Sequence, residues 1–95
     1  MVLERLDNGY RLFPDCRRYI SKPPSEYAKR LYYDTTAFDE KALTFALNAM
    51  GPQQLLFGTD DPFIDADTSH VTKLPVSATD KDLILRANAV RIFGL

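Results

Sequence analysis

Leu55-Leu56-Phe57-Gly58-Thr59-Asp60-Asp61-Pro62-Phe63 is the stretch whose reading decides the fold. A short apolar run climbs to a glycine, ends in Thr-Asp, and is stopped by Pro62. Apolar runs of this length between turn signals suit a strand of a parallel sheet, covered on both faces. Pro62 has no N–H for a ladder and biases Asp61 away from helix, so the strand is expected to end near Asp60. By alternation Leu56, Gly58 and Asp60 share one face, and Leu55, Phe57 and Thr59 the other. A glycine inside a strand marks the close approach of something else. In α/β folds the carboxyl ends of parallel strands are where chemistry is placed. An aspartate in such a place is nonetheless more often a turn residue or a cap than a catalyst. Position alone does not make Asp60 functional.

Upstream of this stretch lies the clearest helix, Asp39 to Met50. Asp39 is the expected N-cap, and Glu40 suits the positive end of the dipole. Leu43, Ala46, Leu47 and Met50 form one apolar stripe, and Gly51-Pro52 is the stop signal. Met50 and Phe45 are candidates for the core. Before the helix, Leu31-Tyr32-Tyr33-Asp34-Thr35 is aromatic and β-branched, which predicts a strand ending in a second carboxylate, Asp34. Strand, helix, strand is a βαβ unit, with its two strands parallel. Residues 1–25 lack periodicity. Val2 to Leu6 is expected to be the tail of a helix ended by Asn8-Gly9, and Ser25 the cap of a short helical turn after two prolines.

Downstream, residues 61–78 are a long connection, of the kind that faces substrate. Asp65-Ala66-Asp67 opens like a calcium loop, but no glycine or closing glutamate comes at the needed spacing. His70 is the single histidine, and a surface position without a role is the expectation for it. The final helix is expected from Thr79 or Asp80 to Phe93. Thr79 and Asp82 resemble a capping box, Leu83, Ala87 and Val90 line one face, and Gly94 is the stop. Asn88 is unhelpful inside a helix unless its side chain bonds something local.

Ninety-five residues make one domain at most. The formal charge of −1 removes any electrostatic case for nucleic acid or an anionic membrane. No apolar run is long enough to span a bilayer, and no signal-peptide pattern opens the chain. Cys16, the single cysteine, fits a reducing cytoplasm and is expected to be a small buried apolar residue. Charge is uneven: residues 34–82 hold nine acidic and three basic residues, and include both candidate strand ends. Such a middle would suit a cation, although most of these carboxylates read as solvated loop residues. Nucleotide-binding glycine patterns, G-x-S-x-G, C-x-x-C and H-x-H are all absent.

Five blocks in order carry a family resemblance. They are Arg5-Leu6-Asp7-Asn8-Gly9-Tyr10; Pro24-Ser25-Glu26-Tyr27; Tyr32-Tyr33-Asp34-Thr35; Leu56-Phe57-Gly58-Thr59-Asp60-Asp61-Pro62-Phe63; and Asn88-Ala89-Val90-Arg91-Ile92-Phe93-Gly94-Leu95. Together they resemble the end of the amidohydrolase-related decarboxylases, among them the aminocarboxymuconate-semialdehyde, resorcylate and vanillate types. The resemblance implies a TIM (β/α)8 barrel, of which residues 1–95 would be the C-terminal segment, the last two β/α units, incomplete on its own. It implies that Asp60 is the strand-eight metal ligand and a possible proton shuttle. Asp34 falls at the end of strand seven. The family's histidine ligands are absent from this chain. Where the muconate-type enzymes carry an arginine before Pro-Asp, this chain has Phe13 before Pro14-Asp15.

The implied cofactor is a divalent metal, zinc or manganese, in the complete enzyme, with none held tightly by this segment alone. The implied partners are a small carboxylate-bearing substrate and either a second copy or the missing part of the barrel. The implied location is cytoplasmic. Hydrolase and decarboxylase chemistry use one scaffold and remain unseparated at this level. A non-catalytic interaction fragment is the reading from a different class, because two parallel strands cannot close a barrel.

Overall fold

The computed structural model describes residues 2–64 and 67–95. The chain divides into two units, Met1–Leu31 and Tyr32–Leu95.

The first unit contains α1 (Leu3–Leu12), a 3-10 turn (Pro14–Arg17) and α2 (Pro24–Ala28). Helix α1 runs straight through Asn8-Gly9, correcting the expectation of a stop there. An interior glycine costs a helix about 1 kcal/mol relative to alanine. Local bonds offset this cost. Arg11 donates to Asn8 Oδ1, and Arg17 donates to the Tyr10 and Arg11 carbonyls at 2.9 and 3.0 Å. Those two carbonyls stand at the helix end, where no intrahelical donor reaches. Asp7 Oδ1 accepts the Ser25 N–H at 2.9 Å, which ties α1 to α2. Ser25 therefore lies inside α2, and Pro23 holds the cap position. Hydrogen bonds from Ser25 hold the Asp7 carboxyl below its ordinary range. None of the unit's described side chains is fully buried, and Cys16 is exposed rather than tucked away. This unit is held by polar contacts.

The second unit carries the apolar core. Its elements are β1 (Tyr33–Asp34), α3 (Glu40–Met50), a 3-10 turn (Pro52–Gln54), β2 (Leu55–Leu56), α4 (Ser69–Thr72), α5 (Ala78–Asp82), a π turn (Leu83–Ala87) and α6 (Asn88–Phe93). The strands pair in parallel, Tyr33 opposite Leu55 and Asp34 opposite Leu56. Each is two residues long, against the five expected. Leu43, Leu47, Leu55, Val71, Leu74 and Ile84 form the core, with Ala46, Phe57, Val76 and Leu85 packed against it.

Helix α3 obeys its sequence signals closely. Asp39 accepts the Ala42 N–H at 3.0 Å, as an N-cap should. Leu43 and Leu47 face the core. Phe45 does not: it is 50% exposed, because it sits two positions from Leu43, on the far side of the stripe. Gly51 takes φ 87°, which a side-chain-bearing residue rarely adopts, and its N–H donates to the Leu47 carbonyl.

The last three elements run on without a break. Ser77, rather than Thr79, is the cap, its Oγ accepting the Asp80 N–H at 3.1 Å. Asp82 pairs with Arg86 instead of closing a capping box. The π turn then slips the helical register, since its wider turn rotates the residues C-terminal to it. Ile84 and Asn88 point inward, whereas Val90, expected on the buried face, is 37% exposed. The Ile84 carbonyl accepts the Phe57 N–H at 3.1 Å, joining this turn to the chain leaving β2.

Asn88 is fully buried, and its amide bonds the local Arg91 as expected and, in addition, two carbonyls distant in sequence. Its Nδ2 donates to the Pro52 and Leu55 carbonyls at 2.7 and 2.8 Å. Its Oδ1 accepts from Arg91, which also donates to the Gln53 carbonyl at 2.9 Å. One amide thus pins α6 to the start of β2. Asn88→Ala is expected to cost about 2–3 kcal/mol, because two buried carbonyls lose their donor. Urea unfolding monitored by circular dichroism measures this. Arg91→Lys, which keeps the charge, should cost well under half as much.

Candidate functional site

The site is built where the chain leaves β1 and β2. Strand β2 ends four residues before Asp60, so Asp60 is carried by a turn and not by the strand itself. Asp60 has φ 61°, a left-handed conformation that aspartate tolerates better than most residues. Its carbonyl accepts the N–H groups of Phe63 and Ile64 at 3.0 and 3.2 Å. The Asp61–Pro62 peptide is cis. Asp60 is exposed.

The acidic residues of the middle of the chain fall into two kinds. Asp34, Asp39 and Asp67 spend their oxygens on local backbone. Asp34 Oδ1 accepts from the Thr36 hydroxyl and, at 2.9 Å, from the Thr36 N–H. Those bonds, the hydroxyl foremost, hold its carboxyl below the usual range against the opposing effect of burial. Asp67 accepts from the Ser69 N–H and hydroxyl at 2.8 and 2.9 Å, which lowers its carboxyl likewise, helped by Lys73 and His70. Asp65 and Ala66, the start of the rejected calcium-loop pattern, lie outside the described residues. No donor among the described residues reaches the carboxylate of Asp60 or that of its neighbour Asp61. That distinction, invisible in composition, separates a cap from a group available to a ligand.

Gly58 faces Asp34 and Thr36. A Cβ placed there would stand 3.0 Å from Thr36 Cγ2 and 3.5 Å from Asp34 Cβ. The close approach expected at this glycine is thus the end of the neighbouring strand.

Thr35 is the centre of the arrangement, and sequence reasoning passed over it. It is fully buried. Its N–H continues the ladder to the Leu56 carbonyl at 3.0 Å. Its Oγ1 then meets three groups: the Gly58 N–H at 3.1 Å, the Gly58 carbonyl at 3.3 Å and His70 Nε2 at 2.9 Å. A hydroxyl has one proton and two lone pairs. All three contacts are satisfied when Gly58 N–H and His70 Nε2–H donate to Oγ1 and the hydroxyl donates to the Gly58 carbonyl. That network calls for a proton on His70 Nε2.

His70 is therefore neither idle nor a free surface side chain. Its ring stacks on Phe57, with centroids 5.6 Å apart, and meets the Phe38 ring edge-on at 4.8 Å. Phe38 itself has φ 56°, which is strained for a bulky residue. Beside His70 opens a cavity of about 490 Å³, walled by Phe38, Glu40, Ile64, Asp67, Ser69 and Lys73. Neither Asp34 nor Asp60 lines it. Among the described residues no three His, Cys, Asp or Glu side chains converge as a metal site would require. With His70 Nε2 committed to Thr35, Asp60 fits a metal only as one donor of a set completed from elsewhere.

Comparison with known proteins bears on the family and the fold. The amidohydrolase family profile matches residues 3–95. The chain is 31% identical to the 2-amino-3-carboxymuconate-6-semialdehyde decarboxylase of Dictyostelium discoideum over 99% of its own length, and 29% identical to that of Caenorhabditis elegans over 96%. It spans only 28% and 24% of those relatives. It also superposes on the crystal structure of 5-carboxyvanillate decarboxylase from Sphingomonas paucimobilis with a TM-score of 0.83 at 22% identity, over 99% of this chain and 30% of that one. The βαβ arrangement is thus a helix-rich α/β portion of an amidohydrolase barrel. Among the described residues no helix is long and apolar enough to cross a membrane.

The geometry sets two expected outcomes. Gly58→Ala is expected to destabilise the chain by roughly 1–2 kcal/mol, because its methyl meets Thr36 Cγ2. Adding Thr36→Ser, which removes that carbon and keeps the hydroxyl, should recover most of the loss in a double-mutant cycle. The second outcome concerns acid. The folded pKa of Asp34 lies below its ordinary 3.8, so folding favours the ionised form. Its contribution is complete above that unfolded value and is lost as pH falls through the folded one. Asp34→Asn should therefore flatten the loss of stability below pH 3.8, as read by acid titration of the circular dichroism signal.

Proposed function

This chain belongs to the amidohydrolase family, and on that premise we propose that it is the C-terminal portion of a metal-dependent decarboxylase acting on a carboxylate-bearing small molecule. It supplies the last two β/α units of a (β/α)8 barrel, with residues 1–95 as one segment of that domain. The observation that carries the reading is Asp60: an uncommitted carboxylate held beyond the carboxyl end of a parallel strand, where barrel enzymes place their chemistry. Decarboxylation is preferred to hydrolysis because the named relatives are decarboxylases.

Asp60 is the residue assigned to the metal, as one ligand among several. A divalent ion, zinc or manganese, would act there as a Lewis acid and lower the pKa of bound water. The remaining donors come from the rest of the barrel. The part of this chain's own residues is to hold Asp60 in place and leave its oxygens free. Loss of CO₂ also requires a proton on the carbon left behind, and a carboxylate beside the reacting centre can carry it.

The partner is the rest of the barrel, in one or more copies. A two-stranded parallel sheet has two outer edges, and apolar side chains stand exposed nearby: Tyr32 is 45% and Phe63 85% accessible. The lone cysteine suits a reducing cytoplasm.

In the polypeptide that carries the complete barrel, Asp60→Asn should release the metal and lower turnover on the order of a hundredfold. Elemental analysis and CO₂ release measure the two effects, and a variant that keeps both metal and rate would overturn the assignment. The 95-residue chain alone should show neither. Stoichiometric zinc with decarboxylase turnover in that chain would show that it needs no partner.

A further inference from the structure

We propose that Thr35 and His70 are positioning residues for the Asp60 turn: one buried hydroxyl fixes the chain just ahead of Asp60 and, through the imidazole, the chain that returns beyond it. This rests on the reading of Asp60 as the functional carboxylate.

The sheet is too short to hold that turn by itself. Strand β2 stops at Leu56, yet Asp60 must be held without a ladder beneath it. Thr35 replaces the missing ladder. Both backbone polar groups of Gly58, two residues before Asp60, are bonded to the single Thr35 hydroxyl. A side chain that occupies both groups of one residue fixes its peptide planes as a neighbouring strand would. Beyond Asp60 the chain turns back on the Asp60 carbonyl through Phe63 and Ile64. Its return is then caught at His70, whose Nε2 lies 2.9 Å from the same hydroxyl. Gly58 and His70, which flank Asp60 in the chain, thus meet on one oxygen atom. Fixing the chain on both sides of Asp60 lowers the conformational freedom left to its turn.

Two further features converge on this point. Phe38 and Asp60 are the two non-glycine residues with positive φ among those described. Phe38 donates its N–H to the Thr35 carbonyl at 3.1 Å and packs its ring against His70. Asp60 comes just after the Gly58 anchor. Backbone strain of this kind persists only where surrounding contacts over-determine it. The second feature is the setting of His70 between two phenyl rings. Stacking on Phe57 and edge contact with Phe38 leave the imidazole little rotational freedom, so its bond to Thr35 is pre-organised. His70 touches neither Asp60 nor, on this proposal, substrate. It acts through Thr35 and the backbone.

The test compares amide hydrogen exchange, by NMR, across variants of the full chain. Thr35→Val and His70→Leu remove the hydroxyl and the imidazole, while Thr35→Ser and His70→Gln keep a group of the same bonding type. In the first pair, exchange at Gly58, Phe63 and Ile64 should accelerate about tenfold, while Leu43 and Gly51, bonded within α3 and its cap, change less than about twofold. Thr35→Ser and His70→Gln should restore most of the protection. Equal acceleration at all five amides would make the pair merely structural and overturn the proposal, as would no acceleration at Phe63 and Ile64. Thr35→Val is isosteric, so it remains informative if His70→Leu does not fold. In the complete barrel, His70→Leu should lower kcat about tenfold with KM near wild type, and an unchanged kcat would also overturn it. Asp60→Asn separates the underlying reading from this one. Its exchange pattern should match wild type, and its metal content alone decides whether Asp60 is the functional carboxylate.

Discussion

The hydroxyl of Thr35 is the constraint on which the second unit depends. Two strands of two residues each provide too few ladder bonds to define a sheet edge, and an isolated pair of strands is marginal in water. Two buried polar side chains complete what the ladder leaves undone. Thr35 grips Gly58 where the chain leaves β2, and Asn88 grips Pro52 and Leu55 where the chain enters it. They are the two fully buried polar residues among those described. Strand β2 is therefore held by a buried polar side chain at its start and by another just beyond its end. Between them, Leu55 is sealed completely among Leu43, Leu47, Val71 and Ile84. Buried polar groups stabilise only when every one of their bonds is made, and here each of them is.

The legible parts of the fold are those governed by neighbours in sequence. Helix α3 has a cap at Asp39, a stripe at Leu43 and Leu47, and a stop at Gly51, and each acts within one turn of itself. The parallel pairing of the two strands came from the helix between them. What escaped was decided by distant partners. Asn8-Gly9 reads as a turn, but Arg17, from beyond the helix, bonds the carbonyls that end α1. The face of the last helix was misread because a π turn occupies Leu83–Ala87, where a fixed period of 3.6 no longer tracks the buried side. Asn88 has the local partner expected of it in Arg91, but its amide also reaches back to residues before and within β2, which no local pattern shows.

The candidate site was legible to the same extent and for the same reason. Asp60 could be named from its place after an apolar run and from its block. The glycine before it could be read as a point of close approach, which Thr36 and Asp34 make. Thr35 and His70 could not be found this way. A threonine at a strand end and a lone histidine in a loop carry no pattern, and only the fold brings their side chains within bonding distance. The separation of Asp34 and Asp67 from Asp60 is likewise structural. All three are acidic residues of the same acidic stretch, and only hydrogen bonding tells which are already committed.

The five ordered blocks are, for the most part, blocks of scaffold. Asn88 and Arg91, the polar residues of the terminal block, bind backbone carbonyls around β2, and Gly94 closes α6 with φ 68°. Gly58 is required by packing, and Thr35, from the third block, by the ladder. Asp7 and Ser25, from the first two blocks, bond to one another. Nearly every block residue with an identifiable contact therefore supports the architecture. The carboxylates of Asp60 and its neighbour Asp61 are exceptions: the Asp60 backbone is bonded, but no donor among the described residues reaches either carboxylate. The blocks report the architecture through many independent constraints, and the chemistry, on the proposed reading, through Asp60, whose carboxylate the architecture leaves unoccupied. A chain with the same blocks and asparagine at position 60, which tolerates the same left-handed φ, would satisfy the scaffold equally well. Family membership therefore rests on the whole chain, and the metal assignment on Asp60 and the network that holds its turn.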